Sequence, residues 1–495
     1  MLKTLRVSPG DASLLAALRA RGAALYAPCG GDGRCGRCLV TVTGPVSPLD
    51  GPERGKVRRA QGETLLACRF RAGGDCAVTF TAEEDMRVVK DGVDIPPGGV
   101  GLGAAVDIGT TTVALLLYDL QTGKYLGARS GPNAQRAFGA DVISRIARCA
   151  AASGLEEQRD AIREQLSSLL DAACAGAGRD RSELTRLCVT GNTVMEHLLM
   201  GLNPTGIGAA PFAPLSLFGD SRPARELFSG FSPGAELYLC PAVAGYAGGD
   251  VTAGLLGSDA LFSAEPVLYL DIGTNGEMAL GDQDGFLVCA AAAGPAFEGG
   301  AIECGMAATA GAIDRVTLSG GALICRVVGG GPARGICGSG LVDAAAALLE
   351  RGDVDPSGRM LCRDKRGERR CYLADGVYIS GSDIRQLQLA KAAVRAGLET
   401  LLSARNLNVE ALRGVWIAGG FGAYLDAGSA VRIGLLPPSA AGKTLHVGSA
   451  AGRGAAMALV LEQRRVLESL AKKCAYLELS ASAAFMERYV ACMGF

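Results

Sequence analysis

A chain of 495 residues is too long for one compact core, so two to four domains are expected. About half the residues are apolar and a fifth are charged, which excludes a disordered chain, and a formal net charge of −1 offers no basic surface to nucleic acid. No apolar run reaches the roughly 18–20 residues that span a bilayer, and 17 cysteines scattered behind a front without a secretory signal point to a reduced cytoplasmic setting, with thiols as metal ligands or core fillers.

The front of the chain reads as a strand over residues 1–9, a short amphipathic helix over 12–21, and then a cysteine loop. Cys29, Cys35 and Cys38 stand in a C-x5-C-x2-C spacing among Gly30, Gly31, Gly33 and Gly36, and Cys68 follows at a distance. Three thiolates from one loop and one from afar is the ligand arrangement of a single 2Fe–2S cluster. The glycines let the backbone wrap the loop and aim N–H groups at sulfur. A four-cysteine zinc site is the alternative, but such sites usually show two C-x2-C knuckles. Residues 39–44 alternate as a strand ending in a turn. Cys76 lies close by, with nothing in its spacing to mark it as a ligand. The expectation is an α+β ferredoxin-like domain of β-grasp type over residues 1–84, followed by a Pro/Gly-rich linker over 85–103.

Behind the linker a pattern occurs twice. Ala104–Ile108 is an apolar strand that runs through Asp107 into Gly109, Thr110 and Thr111; Val267–Leu270 runs through Asp271 into Gly273, Thr274 and Asn275. Each copy is followed, much later, by a strand closing on glycine: Leu187–Gly191 in the first case, and Val415–Ala418 with Gly419, Gly420 and Gly422 in the second. One Asp-Ile-Gly-Thr turn is a weak signal, whereas two copies with matching second strands imply an internal duplication. The expected lobes are residues 104–265 and 266–495. A competing phosphate signal, Gly442-Lys443-Thr444, has Pro437 where a P-loop needs its first glycine, and is read as a turn before a strand.

The duplicated hairpins resemble the actin-like ATPases, an α/β superfamily in which two similar lobes close on a nucleotide. That resemblance implies that Asp107, Thr110, Thr111, Asp271, Thr274 and Asn275 line the phosphates with Mg2+, and that Gly419, Gly420 and Gly422 pass against the adenosine of ATP. A ferredoxin domain joined to such an ATPase resembles the reductive activators of corrinoid-dependent enzymes. Further segments carry the likeness: Asn133–Gln135, Gly139–Ile146, Thr190–His197, Ala293–Gly300, Gly335–Asp343, Asp383–Lys391 and Val447–Gly452. The resemblance implies ATP-dependent reduction of Co(II) corrinoid to Co(I) on a partner methyl-transfer protein, an external electron donor, and a possible homodimer. The alternatives are an activator of 2-hydroxyacyl-CoA dehydratase or benzoyl-CoA reductase type, a metabolite kinase, and a scaffold with a degenerate cleft.

Four positions carry two readings each. Asp250 polarises an attacking water or caps a helix. Glu298 faces the cleft or the corrinoid, or is an ordinary loop-turn residue. His197 is a satisfied core histidine or a partner contact. Cys337 is a small buried residue between glycines or a cluster ligand between subunits.

Overall fold

The computed structural model describes residues 2–495 apart from 11, 22, 24, 26–30, 32–37, 50–55, 60, 61, 82–91 and 366. The N-terminal sheet contains β1 (Leu2–Val7), β2 (Leu39–Thr43), β3 (Lys56–Arg59), β4 (Gly62–Leu66) and β5 (Cys76–Thr81) in the order β1-β5-β2-β4-β3, with every pairing antiparallel. Helix α1 (Leu14–Arg19) begins where the Ser13 side chain accepts from the Ala16 N–H. Its Leu14, Leu15 and Leu18 are buried against Val40, Phe70, Val78 and Phe80. One helix on one face of a small antiparallel sheet is the expected ferredoxin-like arrangement.

Part of the expected linker is fastened down. Ile95 N–H donates to Gly123 O at 2.9 Å, Gly98 N–H to Leu120 O at 3.0 Å, and Asp94 Oδ1 accepts from Tyr125 N–H at 2.9 Å. Buried Ile95 packs with Tyr118 and Leu120. The hydrogen-bonding demand of this backbone is thus met by the following domain, and β6 (Leu102–Ile108) starts two residues before the expected boundary.

Two six-stranded sheets follow. In the first, β6 is flanked antiparallel by β7 (Thr112–Asp119), which carries β8 (Tyr125–Pro132), and parallel by β9 (Leu184–Gly191); β10 (Ser221–Pro223) and β11 (Glu236–Leu239) complete the order β8-β7-β6-β9-β11-β10. In the second, β12 (Val267–Asp271) is flanked antiparallel by β13 (Glu277–Asp282), which carries β14 (Gly285–Ala290), and parallel by β15 (Gly414–Ala418) and then β16 (Thr444–Gly448); β17 (Ala475–Tyr476), parallel to β14, is the sixth strand. The meander on one side and the parallel strands on the other repeat strand for strand. Central strands buried on both faces must be apolar throughout, as Val267 to Leu270 are.

Helices α2 (Val142–Arg148), α3 (Gly154–Gly176) and α4 (Thr193–Met200) belong to the first half. Ile162, Leu166, Leu170 and Ala173 form the buried stripe of α3. In the second half, α6 (Gly338–Arg351) and α7 (Gly381–Ala404) bury apolar faces in the core that also holds Leu268, Leu270 and Ile417. Two helices join the halves: α5 (Gly249–Gly257) and α8 (Ala450–Met457). They cross through small residues, since a Cβ at Gly454 would stand 1.8 Å from Ala253 O and one at Gly257 2.1 Å from Ala450 O. Val251, Leu255, Ala455 and Leu459 make one core with Tyr269 and Trp416. Among the described residues, no helix is long and apolar enough to cross a membrane.

Candidate nucleotide cleft and iron–sulfur ligands

Each half carries an aspartate at the end of its central strand, Asp107 one residue before the end of β6 and Asp271 as the last residue of β12. Asp107 lies beside Thr190 of β9, and Asp271 beside Ala418 of β15, so each carboxylate sits at the carboxyl end of parallel strands. This is where α/β sheets bind ligands. The first turn is held from behind. Asn133 Nδ2 donates to Gly109 O at 2.8 Å, Asn192 Nδ2 to Thr110 Oγ1 at 3.1 Å, and Arg145 Nη2 to Thr110 O at 2.5 Å. A side chain at Gly109 would meet Thr112 O at 2.7 Å. In the second half, Gly419 adopts φ +83° and a Cβ there would stand 2.6 Å from Asp271 Oδ1. Only glycine satisfies both demands. Gly420 faces open space and Gly422 packs against Ile417. Thr274 and Asn275 lie half-buried in the turn after Asp271, and Thr274 O accepts from Gly294 N–H at 3.0 Å.

Asp250 is not a helix cap. Gly248 holds that position, and Asp250 lies in the first turn of α5, its Oδ1 accepting from Val251 N–H at 2.9 Å. It belongs to the acidic group in the cleft. Burial, then Asp250 and Asp271, push the Asp107 carboxyl up to about 8. Burial and Asp271 push Asp250 up to about 7, and burial raises Asp271 to about 6. Glu277, opposite Asp271 in the hairpin register, is driven well above the usual carboxylate range by burial, Asp250 and Asp271. Glu196 is driven the same way by burial and Asp250, and its two oxygens have no hydrogen-bond partner among the described residues. Such a cluster is stabilised by protons or by a cation. Among the described residues, no three His, Cys, Asp or Glu side chains form a metal cage. A magnesium ion fits this donor set in its usual manner, with one or two carboxylates and the rest from phosphate and water.

Glu298 faces the cleft. Thr111 Oγ1 donates to Glu298 Oε2 at 2.6 Å, a bond between halves 187 residues apart. Its loop is tied to the glycine turn by stacking of Phe297 on Phe421, with ring centroids 4.9 Å apart.

The N-terminal domain brings two of its four expected ligands together. Cys38 Sγ and Cys68 Sγ are buried and 3.3 Å apart, beyond the length of a disulfide, and Cys68 N–H points at Cys38 Sγ at 3.4 Å. Paired thiols with a backbone donor aimed at sulfur fit an iron–sulfur ligand set. Cys29 and Cys35 lie outside the described residues. Cys76 is a core residue, its Sγ directed at Val7 O.

The remaining double readings resolve plainly. His197 is fully buried, with Nδ1 on Thr193 O at 2.7 Å and Nε2 accepting from Leu215 and Ser216 N–H. Buried Cys337 directs its Sγ at Ile313 O. Lys443 spends its amine on the carbonyls of Val409, Glu410 and Leu412, so the Gly-Lys-Thr run is the expected turn before a strand.

Comparison with known proteins follows the same division. Residues 2–73 match the 2Fe-2S iron-sulfur cluster binding domain, 102–260 the RACo middle region, and 265–495 the C-terminal domain of RACo, the ASKHA domain. A solved structure titled reductive activator for corrinoid, iron-sulfur protein superposes with a TM-score of 0.73 at 31% identity, covering 98% of this chain and 96% of that one. The chain belongs to the family of reductive activators of corrinoid proteins. The corrinoid activation enzyme RamQ of Eubacterium limosum is 33% identical to this activator over 412 residues, 78% of this chain and 69% of that protein. The Co(II) methylated amine-specific corrinoid protein reductase of Methanosarcina barkeri is 31% identical over 351 residues, and the match spans 63% of its length. The dehydratase-type and kinase alternatives are not favoured.

Sequence reasoning missed the activator's Glu277, Glu196, Asn133, Asn192 and Arg145 as parts of the site. Glu277 was signalled by its place three residues past Thr274 in the second hairpin; the others are brought in by elements distant along the chain.

Proposed function

We propose that this activator delivers one electron to the Co(II) corrinoid of a partner methyl-transfer protein, giving Co(I), and that ATP bound between Asp107 and Asp271 drives the transfer. The supporting observation is the pairing of the two hairpins over one buried acidic cleft, in the same chain as the facing thiols Cys38 and Cys68. Cys29, Cys35, Cys38 and Cys68 would hold the cluster, which would supply one-electron chemistry at roughly −400 mV if of plant type. The cobalt couple is more reducing still, and about 59 mV of one-electron mismatch is a tenfold penalty. ATP binding favours one arrangement of the lobes over another and so shifts that equilibrium. Thr110, Thr111, Thr274 and Asn275 would contact phosphate, Asp107 and Asp271 would hold Mg2+, which would offset phosphate charge, Asp250 would orient the attacking water, and Gly419, Gly420 and Gly422 would border the base and ribose. An external donor restores the electron, and the reduced cytoplasm keeps the thiols available.

The test mixes the reduced protein, ATP and a Co(II) corrinoid protein, and follows the Co(I) absorption band. The band develops with ATP and is lost in Asp107→Ala and Asp271→Ala. Equal reduction by Asp271→Ala would defeat the coupling.

A further inference from the structure

Arg145 is a fully buried guanidinium without a carboxylate partner among the described residues. Its Nε donates to Gly139 O at 3.1 Å, its Nη2 to Thr110 O at 2.5 Å, and its Nη1 meets Met195 Sδ at 3.0 Å. It lies one turn into α2, whose N-terminus is closed by the Asp141–Ser144 capping box, and a helical side chain there leans back toward the N-terminus and the hairpin. Asp141 is occupied by that cap, accepting from Ser144 N–H at 2.7 Å. A buried charge without an ion-pair partner is costly, and a neutral residue of similar volume fills a core at lower cost. Burial and the neighbouring Arg136 lower the Arg145 guanidinium to about 9, so it is charged at neutral pH. The cleft in front of the turn otherwise carries the carboxyl groups of Asp107, Asp250, Asp271, Glu277 and Glu298, which repel phosphate to the extent that they are ionised.

We propose that Arg145 is a positioning residue for the nucleotide phosphates: it fixes the Gly109–Thr111 turn from behind and supplies, through that turn, positive charge to an acidic cleft. This rests on the reading of the cleft as an ATP site. It predicts a graded effect. Each added phosphate feels the charge more, whereas adenosine feels only the shape of the cleft.

The experiment measures the affinity of the full-length, cluster-loaded protein for ATP, ADP and adenosine in magnesium buffer. Arg145→Met is expected to weaken ATP by about tenfold or more, ADP by less, and adenosine by less than about twofold. Arg145→Lys is expected to recover part of the ATP affinity. Because Arg145→Met removes several buried hydrogen bonds and its folding is at risk, a second variant leaves the guanidinium in place. Met195→Glu sets a carboxylate of similar size against Nη1, neutralising the charge while keeping it paired. It too is expected to weaken ATP selectively. Unchanged ATP affinity in Met195→Glu, or an equal loss for all three ligands in Arg145→Met, overturns the proposal. Failure of the unaltered protein to bind any of the three overturns the nucleotide reading instead.

Discussion

His197 illustrates how a residue with functional chemistry is spent on structure. Its ring is edge-on to Phe218 at 5.1 Å, and its two nitrogens satisfy one carbonyl and two amides of the segment at Leu215 and Ser216. The two amides require an unprotonated Nε2, and burial lowers the histidine below its ordinary range. The unfolded chain therefore binds more protons in mild acid. The stabilisation is complete above about pH 6.5 and is lost as pH falls through the lowered folded value. Amides Leu215 and Ser216 are expected to resist hydrogen exchange above about pH 6.5 and to lose protection as the pH falls through the lowered folded value, after correction for intrinsic rates. His197→Ala is expected to cost about 1–3 kcal/mol, read by urea unfolding, because two N–H groups lose their buried acceptor. Protection of these two amides unchanged by the loss of the ring in His197→Ala would refute the assignment. The apolar run Met195–Met200 signalled a core histidine. It did not signal the donors at Leu215 and Ser216, because residues 209–218 carry no periodicity that ties them to α4. The cap reading of Asp250 fails for a similar reason. Its local text resembles a helix start, and only the fold shows Gly248 in the capping position.

At the level of elements, the sequence was most legible where short patterns repeat. The two Asp-Ile-Gly-Thr hairpins and the two glycine-ended strands emerge as equivalent parts of equivalent sheets, because an apolar strand followed by a glycine turn is written locally. The contact of α5 with α8 was not legible. It depends on Gly257, Ala450 and Gly454, single small residues brought together from far apart along the chain, and on no pattern along either helix. The fastening of residues 94–99 was hidden likewise, since its partners are backbone groups of the β7–β8 turn. The helix contact yields a paired prediction. Gly454→Val places a side chain against Ala253 O and is expected to destabilise by about 1–3 kcal/mol or more. Gly420→Ala, where nothing lies within 4 Å, is expected to leave the unfolding midpoint unchanged. Equal midpoints for both variants would show that the two helices do not meet as described.

For the whole molecule the question is what sets the closure of the two halves. The α5–α8 core joins them at one place, and the Thr111–Glu298 bond joins them at the phosphate end of the cleft. That bond engages a hydroxyl proposed to meet phosphate and sets a carboxylate beside the proposed phosphate site. Two unit charges about 4 Å apart interact by about 4 kcal/mol at an effective dielectric constant near 20, so Glu298 opposes free ATP strongly. Magnesium would reverse the sign, because a divalent cation attracts carboxylate and phosphate alike. Glu298→Gln keeps an oxygen able to accept from Thr111 and removes only the charge. It is therefore expected to tighten ATP by about tenfold or more in chelator-treated protein, and to show a smaller gain when magnesium is supplied. Titration calorimetry under the two conditions separates this from a simple loss of the bridge, which would change both affinities alike. A variant that binds metal-free ATP no better than the unaltered chain would place Glu298 away from the phosphates, and closure would then rest on the helix core alone.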